Sequence, residues 1–168
     1  SNITAIIPTI VSRCQYIKLS NFDFFSINTG NNLKKIFNDC GFSDDKVNYL
    51  ELADTSLNFV LKLENSGLDV MLNLKKIWYN VVTERNYYNF CFKIIIYFYY
   101  DVLKYKLFKE VNFFNDYIDK VINNSKLLNI SDVLKRIQIY IKYYNLLKYN
   151  INLNLFMDRL IIEIGELL

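Results

Sequence analysis

The sequence predicts an all-α fold, and three observations carry that prediction. Only four glycines and one proline punctuate 168 residues, which suits long uninterrupted helices better than a turn-rich β architecture. Apolar residues recur at three- and four-residue spacing along most of the chain. Side chains that cap helices (Ser, Asp, Asn) stand ahead of several of these periodic stretches. Hydrophobic residues make up 52% of the chain, and a domain of this length buries roughly 70% of its extended-chain surface. A sizeable core is therefore within reach.

Taken in order, residues 3–20 read as a short helix followed by a short strand. Pro8 suits a first helical turn, where its missing N–H costs nothing. Tyr16-Ile17-Lys18-Leu19 alternates apolar and polar as a strand does. Asn28-Thr29-Gly30-Asn31-Asn32 reads as a turn or loop. Leu33, Ile36 and Phe37 then fall at helical spacing, and Cys40-Gly41 supplies a C-cap. Ser43 is an N-cap with Asp44 and Asp45 in the first turn, where the helix dipole favours them. Tyr49, Val47 and Leu50 give that helix its apolar side. Asp54 or Thr55 is expected to cap a third helix through Leu57, Val60, Leu61 and Leu63, so residues 31–64 read as a three-helix unit.

Asn65-Ser66-Gly67 marks the clearest internal boundary. Longer helices follow, over 68–83, 86–109, 113–124, 131–149 and 152–166. Ser131 with Asp132 opens one of them, and Asn123-Asn124-Ser125 and Asn150-Ile151-Asn152 read as breaks. Asn152 caps a terminal helix whose apolar residues are Leu155, Leu160, Ile161 and Ile164. No repeat of about 20–50 residues is visible, which argues against a helical solenoid. The chain opens in mid-motif with no Gly-rich phosphate loop, so it is expected to be the C-terminal part of a longer protein.

Composition excludes several chemistries. Histidine is absent, which removes most Ser-His and Cys-His schemes and the commonest metal ligand. Cys14, Cys40 and Cys91 are far apart and odd in number, with no CxxC pair. Neither a zinc site nor a disulfide framework is indicated, no cofactor is expected, and reduced cysteines in the cytoplasm are the default. A net charge of +3 neither demands nor forbids nucleic acid, and Lys104, Lys106 and Lys109 read as a solvated helix face. The apolar run from Tyr87 to Tyr100 is interrupted by Lys93 and ended by Asp101. It falls short of the ~20 residues a membrane span needs and reads as a buried core helix. The heavy use of Asn, Lys, Ile and Tyr follows an A/T-rich codon bias, so the tyrosines are discounted as functional signals.

The most informative stretch is Ile6-Ile7-Pro8-Thr9-Ile10-Val11-Ser12-Arg13-Cys14-Gln15. An arginine at the end of a short stiff helix is placed to reach a phosphate, and its planar fork matches phosphate oxygens. Two later stretches carry further patterns. Residues 98–106 read Phe-Tyr-Tyr-Asp-Val-Leu-Lys-Tyr-Lys; taken alone, this is a core helix with Asp101 paired to a nearby lysine. Residues 150–164 place Asn150, Asn152, Leu155 and Asp158 along an amphipathic terminal helix.

These three stretches resemble, in the correct order, motifs of clamp-loader subunits of the AAA+ family. The first is similar to the Ser-Arg-Cys motif with its preceding Pro8 and Thr9, most of all as found in the delta-prime subunits of bacterial DNA polymerase III. The second is similar to the collar's W-Y-R-D-L-L-x-x-K helix: Tyr99, Asp101, Leu103 and Lys106 match, while Tyr100 replaces the arginine. The third is similar to the N-x-N-x-x-L-x-x-D/E signature of the last collar helix. The resemblance implies that residues 1–20 end an AAA+ core, 21–66 form a lid-like three-helix domain and 67–168 form a collar oligomerisation domain.

It also implies that Arg13 acts in trans on ATP held by a neighbouring subunit. ATP-hydrolysing members carry G-S-x-R-D-A where this chain reads Asp54-Thr55-Ser56-Leu57-Asn58-Phe59. The lost arginine favours delta-prime over the gamma/tau subunit. The implied protein is no enzyme by itself but part of a DNA-directed DNA polymerase holoenzyme. Its implied partners are gamma/tau and delta in a hetero-pentamer, with the sliding clamp and DNA reached through the complex and no membrane. Apolar positions on helices 86–109 and 152–166 are expected to remain exposed for neighbouring collars. The alternatives are a gamma/tau fragment, a stand-alone helical interaction module, or a membrane-associated helical protein, the last suggested only by the aromatic run.

Overall fold

A computed structural model describes residues 29–42 and 48–167 of the chain. The readings made on Pro8, Thr9, Ser12, Arg13 and Cys14, on the strand at 16–19 and on the Ser43 cap lie outside the described residues. Within them every regular element is helical and no strand occurs. The α-helices are α1 (Thr29–Asp39), α2 (Tyr49–Ser66), α3 (Arg85–Phe108), α4 (Ile118–Leu127), α5 (Ile130–Leu146) and α6 (Leu153–Gly165). Between α2 and α3 lie a 3-10 stretch, Gly67–Asn73, and a π turn, Lys75–Tyr79. A 3-10 turn, Asn115–Tyr117, leads into α4.

Helix α3 is the hub, packed against α2, α4 and α5. Its aromatic run is buried, as the interrupting Lys93 and Asp101 suggest: Tyr88, Phe90, Phe92, Ile94, Ile95, Phe98 and Tyr99 all face the core. Among the described residues no helix is long and apolar enough to cross a membrane. Phe92 meets Phe156 of α6 at 5.4 Å and Tyr140 of α5 at 5.9 Å between ring centroids. Tyr99 stacks on Tyr140 at 5.5 Å. Each fully buried ring of this kind is worth about 1.5–3 kcal/mol of transfer free energy. Arg85, at the start of α3, reaches the carbonyl of Leu147 just past the end of α5, so the two helices run antiparallel. One contiguous core extends from Leu33, Ile36 and Phe37 of α1 to Ile164 of α6. Residues on both sides of Asn65-Ser66-Gly67 share it.

Several boundaries differ from the sequence reading, each for a local reason. Asp54 and Thr55 start no helix, because α2 runs unbroken from Tyr49 to Ser66. Its cap is Asn48, whose Oδ1 accepts from Glu51 N–H at 3.2 Å. The buried row Leu52, Ala53, Leu57, Val60 and Leu63 passes straight through the two residues. Asp54 instead accepts the Tyr117 hydroxyl at 2.8 Å. Tertiary burial thus overrides the local capping preference. The helix does end at the anticipated boundary, on Gly67 with φ 53°, a left-handed value that glycine adopts without a Cβ clash.

The expected helix over 68–83 is a 3-10 stretch and a π turn instead. Its buried residues Val70, Leu74, Trp78 and Val82 are spaced by four. A regular α-helix turns that row by about 40° at each step, and the wider π turn counters the drift between Leu74 and Trp78, whereas the tighter 3-10 stretch before it does not. Asn123-Asn124-Ser125 does not break α4. Asn124 Nδ2 and Ser125 Oγ donate back to the carbonyls of Lys120 (3.0 Å) and Ile122 (2.7 Å), and the helix continues to Leu127. The cap of α5 is Asn129, accepting from Asp132 N–H at 2.9 Å, rather than Ser131. Thr29-Gly30 belongs to α1 rather than to a loop.

Candidate functional site

The terminal-helix residues assemble around the α5–α6 connection. Asn152 caps α6 as anticipated, its Oδ1 accepting from the N–H groups of Asn154 (3.0 Å) and Leu155 (3.2 Å). Asn150 is exposed and Asp158 half-buried. Leu155 is 62% exposed, which corrects its assignment to the apolar side. The buried stripe is Phe156, Met157, Leu160, Ile161 and Ile164, a spacing that leaves Leu155 on the opposite face. The connection itself is clamped by Arg85. One guanidinium nitrogen donates to the carbonyls of Leu147 (2.9 Å) and Tyr149, and the other donates to Ile151 at 3.1 Å. These carbonyls follow the C-terminus of a helix, where a cation is favoured.

In the 98–106 stretch, Asp101 is buried and its partners are backbone groups, not a lysine. Its Oδ1 accepts from Asn112 N–H at 3.0 Å, and its Oδ2 accepts from Phe113 and Phe114 N–H, each at 2.8 Å. Burial pushes its carboxyl above the usual range, partly opposed by those three N–H groups and by nearby Lys104. Lys104 itself bonds Asn112 Oδ1 at 2.6 Å and Glu110 at 2.9 Å, and Lys106 donates to the Ser125 carbonyl at 2.6 Å. Asp101 therefore ties the α3–α4 connection back onto α3. Tyr99 is buried beside it in sequence, while Tyr100 is exposed and Leu103 half-buried.

Sequence reasoning missed the largest polar feature. Arg136 of α5 and Glu64 of α2 form a two-pronged ion pair, Nε to Oε1 at 2.5 Å and Nη2 to Oε2 at 2.8 Å. Their side chains are 1% and 2% exposed. Tyr99 donates its hydroxyl to the same Glu64 Oε1. Burial alone would lower the Arg136 pKa, but its bonds to Glu64 outweigh this and hold it raised. Burial, with Tyr140 and Glu64 close by, keeps the Tyr99 phenol protonated far into the alkaline range. The clue was present: Arg136 stands on the same helical face as Val133 and Tyr140, a charge within an apolar row. Glu64 thus accepts three hydrogen bonds, two on Oε1 and one on Oε2, and the cluster fixes how α2, α3 and α5 sit. Among the described residues no group of His, Cys, Asp or Glu could hold a metal ion. Cys40 is half-buried, Cys91 is buried, and both are free thiols.

Apolar side chains do remain outside. Helix α6 leaves Leu155 and Ile162 exposed, two turns apart on one face, and α5 leaves Leu134 and Ile141 at the same spacing. On α3 the exposed apolar residues are confined to the C-terminal part: Tyr100, Leu107 and Phe108, the last 66% exposed. Comparison with protein-family models, with curated proteins and with solved structures found no significant match.

Proposed function

We propose that this chain is the C-terminal part of a clamp-loader subunit of the delta-prime type, acting in DNA replication in the cytoplasm. The observation that carries the reading is the run Ile6–Gln15 with Arg13 in its Ser-Arg-Cys triplet, followed in order by the two collar-like stretches. In this reading Arg13 supplies charge to the γ-phosphate of ATP bound by the adjoining subunit, stabilising the transition state there. The helical bundle serves as the oligomerisation element. Its interior fixes the helices through buried pairs, and the outward Leu155 and Ile162 meet the collars of gamma/tau and delta. The bundle holds no nucleotide of its own. One feature supports a non-hydrolysing role: the missing arginine in Asp54–Phe59.

The test is Arg13→Ala in the full-length subunit, reconstituted with gamma/tau and delta. Removing an arginine that acts on a neighbour's phosphate should slow hydrolysis at that site by ~10³–10⁵, with normal yield of the complex. Unchanged clamp-stimulated hydrolysis at normal yield would return Arg13 to an ordinary solvated side chain. Measurable ATP affinity of the present chain by calorimetry would also count against the assignment.

A further inference from the structure

The ends of α2 and α4 enclose a cleft of about 260 Å³ lined by Leu61, Glu64, Asn65, Lys120, Asn123, Asn124 and Leu127. We propose that it docks an extended segment of a partner protein, one carrying an acidic residue beside an aliphatic residue. The inference does not rest on the clamp-loader reading.

Four observations lead there. Asn124 is buried, and its Nδ2 is used by the Lys120 carbonyl at 3.0 Å. Its Oδ1, however, is buried with no hydrogen-bond partner in the structure. An unpaired buried acceptor is unfavourable, so the position calls for a donor, and a peptide N–H is one. Second, Asn65 and Asn123 are exposed at the rim, and each amide offers both a donor and an acceptor, matching the two groups of a peptide unit.

Third, the charge has one sign. Glu64 is neutralised by Arg136, whereas the Lys120 ammonium rests 4.8 Å from the centre of the Tyr117 ring, a contact that leaves its charge intact. A carboxylate is its natural complement. Fourth, Leu61 and Leu127 give the cleft an apolar wall, and Leu127 is largely exposed. No aromatic ring lines this cleft on which a base could stack, which argues against a nucleotide. The cleft has room for one or two side chains of a longer segment.

The probe is a random heptapeptide library displayed on phage and selected against the whole chain. The best peptide is then labelled with fluorescein, and its affinity is read by anisotropy. Enriched peptides should carry Asp or Glu next to Leu, Ile or Val. Lys120→Glu should weaken the labelled peptide by about tenfold or more and turn a repeated selection toward basic peptides. Asn123→Ala should weaken it severalfold, with unchanged circular dichroism. Asn124→Ala should do the same if it folds; should it unfold, the other two variants decide. Failure to enrich acidic-aliphatic peptides would overturn the proposal, as would a selected peptide that binds Lys120→Glu and Asn123→Ala like the parent. Binding of AMP or a thymidine decamer that Lys120→Glu abolishes would overturn it in favour of a nucleotide.

Discussion

Helix α5 carries an acid–base pair toward each of two neighbours, and the two are built differently. Toward α2, Arg136 grips Glu64 at 2.5 and 2.8 Å with both side chains almost wholly buried. Toward α6, Lys142 meets Glu163 at 2.8 and 2.9 Å, with side chains 57% and 32% exposed. Distances barely distinguish them; burial does. In the interior the charges have no water to fall back on, so each depends on the other. At the surface, solvent replaces either partner at little cost. The first pair fixes how α2 and α5 sit. The second trims a junction near the face of α6 that carries Leu155 and Ile162.

The largest effect is expected from breaking the interior pair. Arg136→Ala strands a buried carboxylate and should destabilise the fold by ~3–5 kcal/mol in denaturant unfolding. The double replacement Glu64→Leu with Arg136→Met should recover most of that loss, since apolar residues of similar volume can replace a buried pair. If the double variant is as unstable as the single one, packing rather than charge explains the site. Asp101→Ala follows, removing the buried carboxylate that accepts from three N–H groups, and should cost ~2–4 kcal/mol. Local hydrogen exchange at residues 112–114 should rise with it.

Alkali should act on the same interior. Tyr79, Tyr88 and Tyr117 are pushed up from about 10 to about 12, each chiefly by burial. A phenol whose folded pKa lies above its unfolded value contributes stability in full below pH ~10, and that stability is lost as pH climbs toward ~12. The tyrosinate absorbance that these three phenols contribute should therefore appear together with loss of the helical circular-dichroism signal. Ionisation of these phenols with helix intact would contradict their tie to the packed fold.

The surface pair should yield the smallest effect. Lys142→Ala should cost below ~1 kcal/mol and less in high salt. The hydrogen bond from Lys142 is the main reason that Glu163 sits below the usual carboxylate range. Whatever the pair contributes is present above that range and fades as pH falls through the lowered value.

The same contrast governs what was legible in the sequence. The all-α class, the C-cap at Cys40-Gly41, the burial of the aromatic helix and the Asn152 cap follow from spacing and local chemistry, and the structure contains each of them. What escaped was non-local. Nothing adjacent to Glu64 announces a partner seventy-two positions away. Asp101 depends on the backbone of a connection that bends back onto it. Asp54 is a good cap by type, yet α2 runs through it because the core holds both sides. The charge of Arg136 on an apolar face was the one visible sign.

The interior holds this bundle together, and the proposed function assigns assembly to the outer face of α6. That assignment is tested by placing Leu155→Glu and Ile162→Glu together in the full-length subunit. Thermal unfolding is read first, and then co-elution with gamma/tau and delta on size exclusion. The account predicts stability within ~0.5 kcal/mol of the parent for each exposed site and loss of the complex. A complex that assembles at normal yield with both glutamates in place would contradict it.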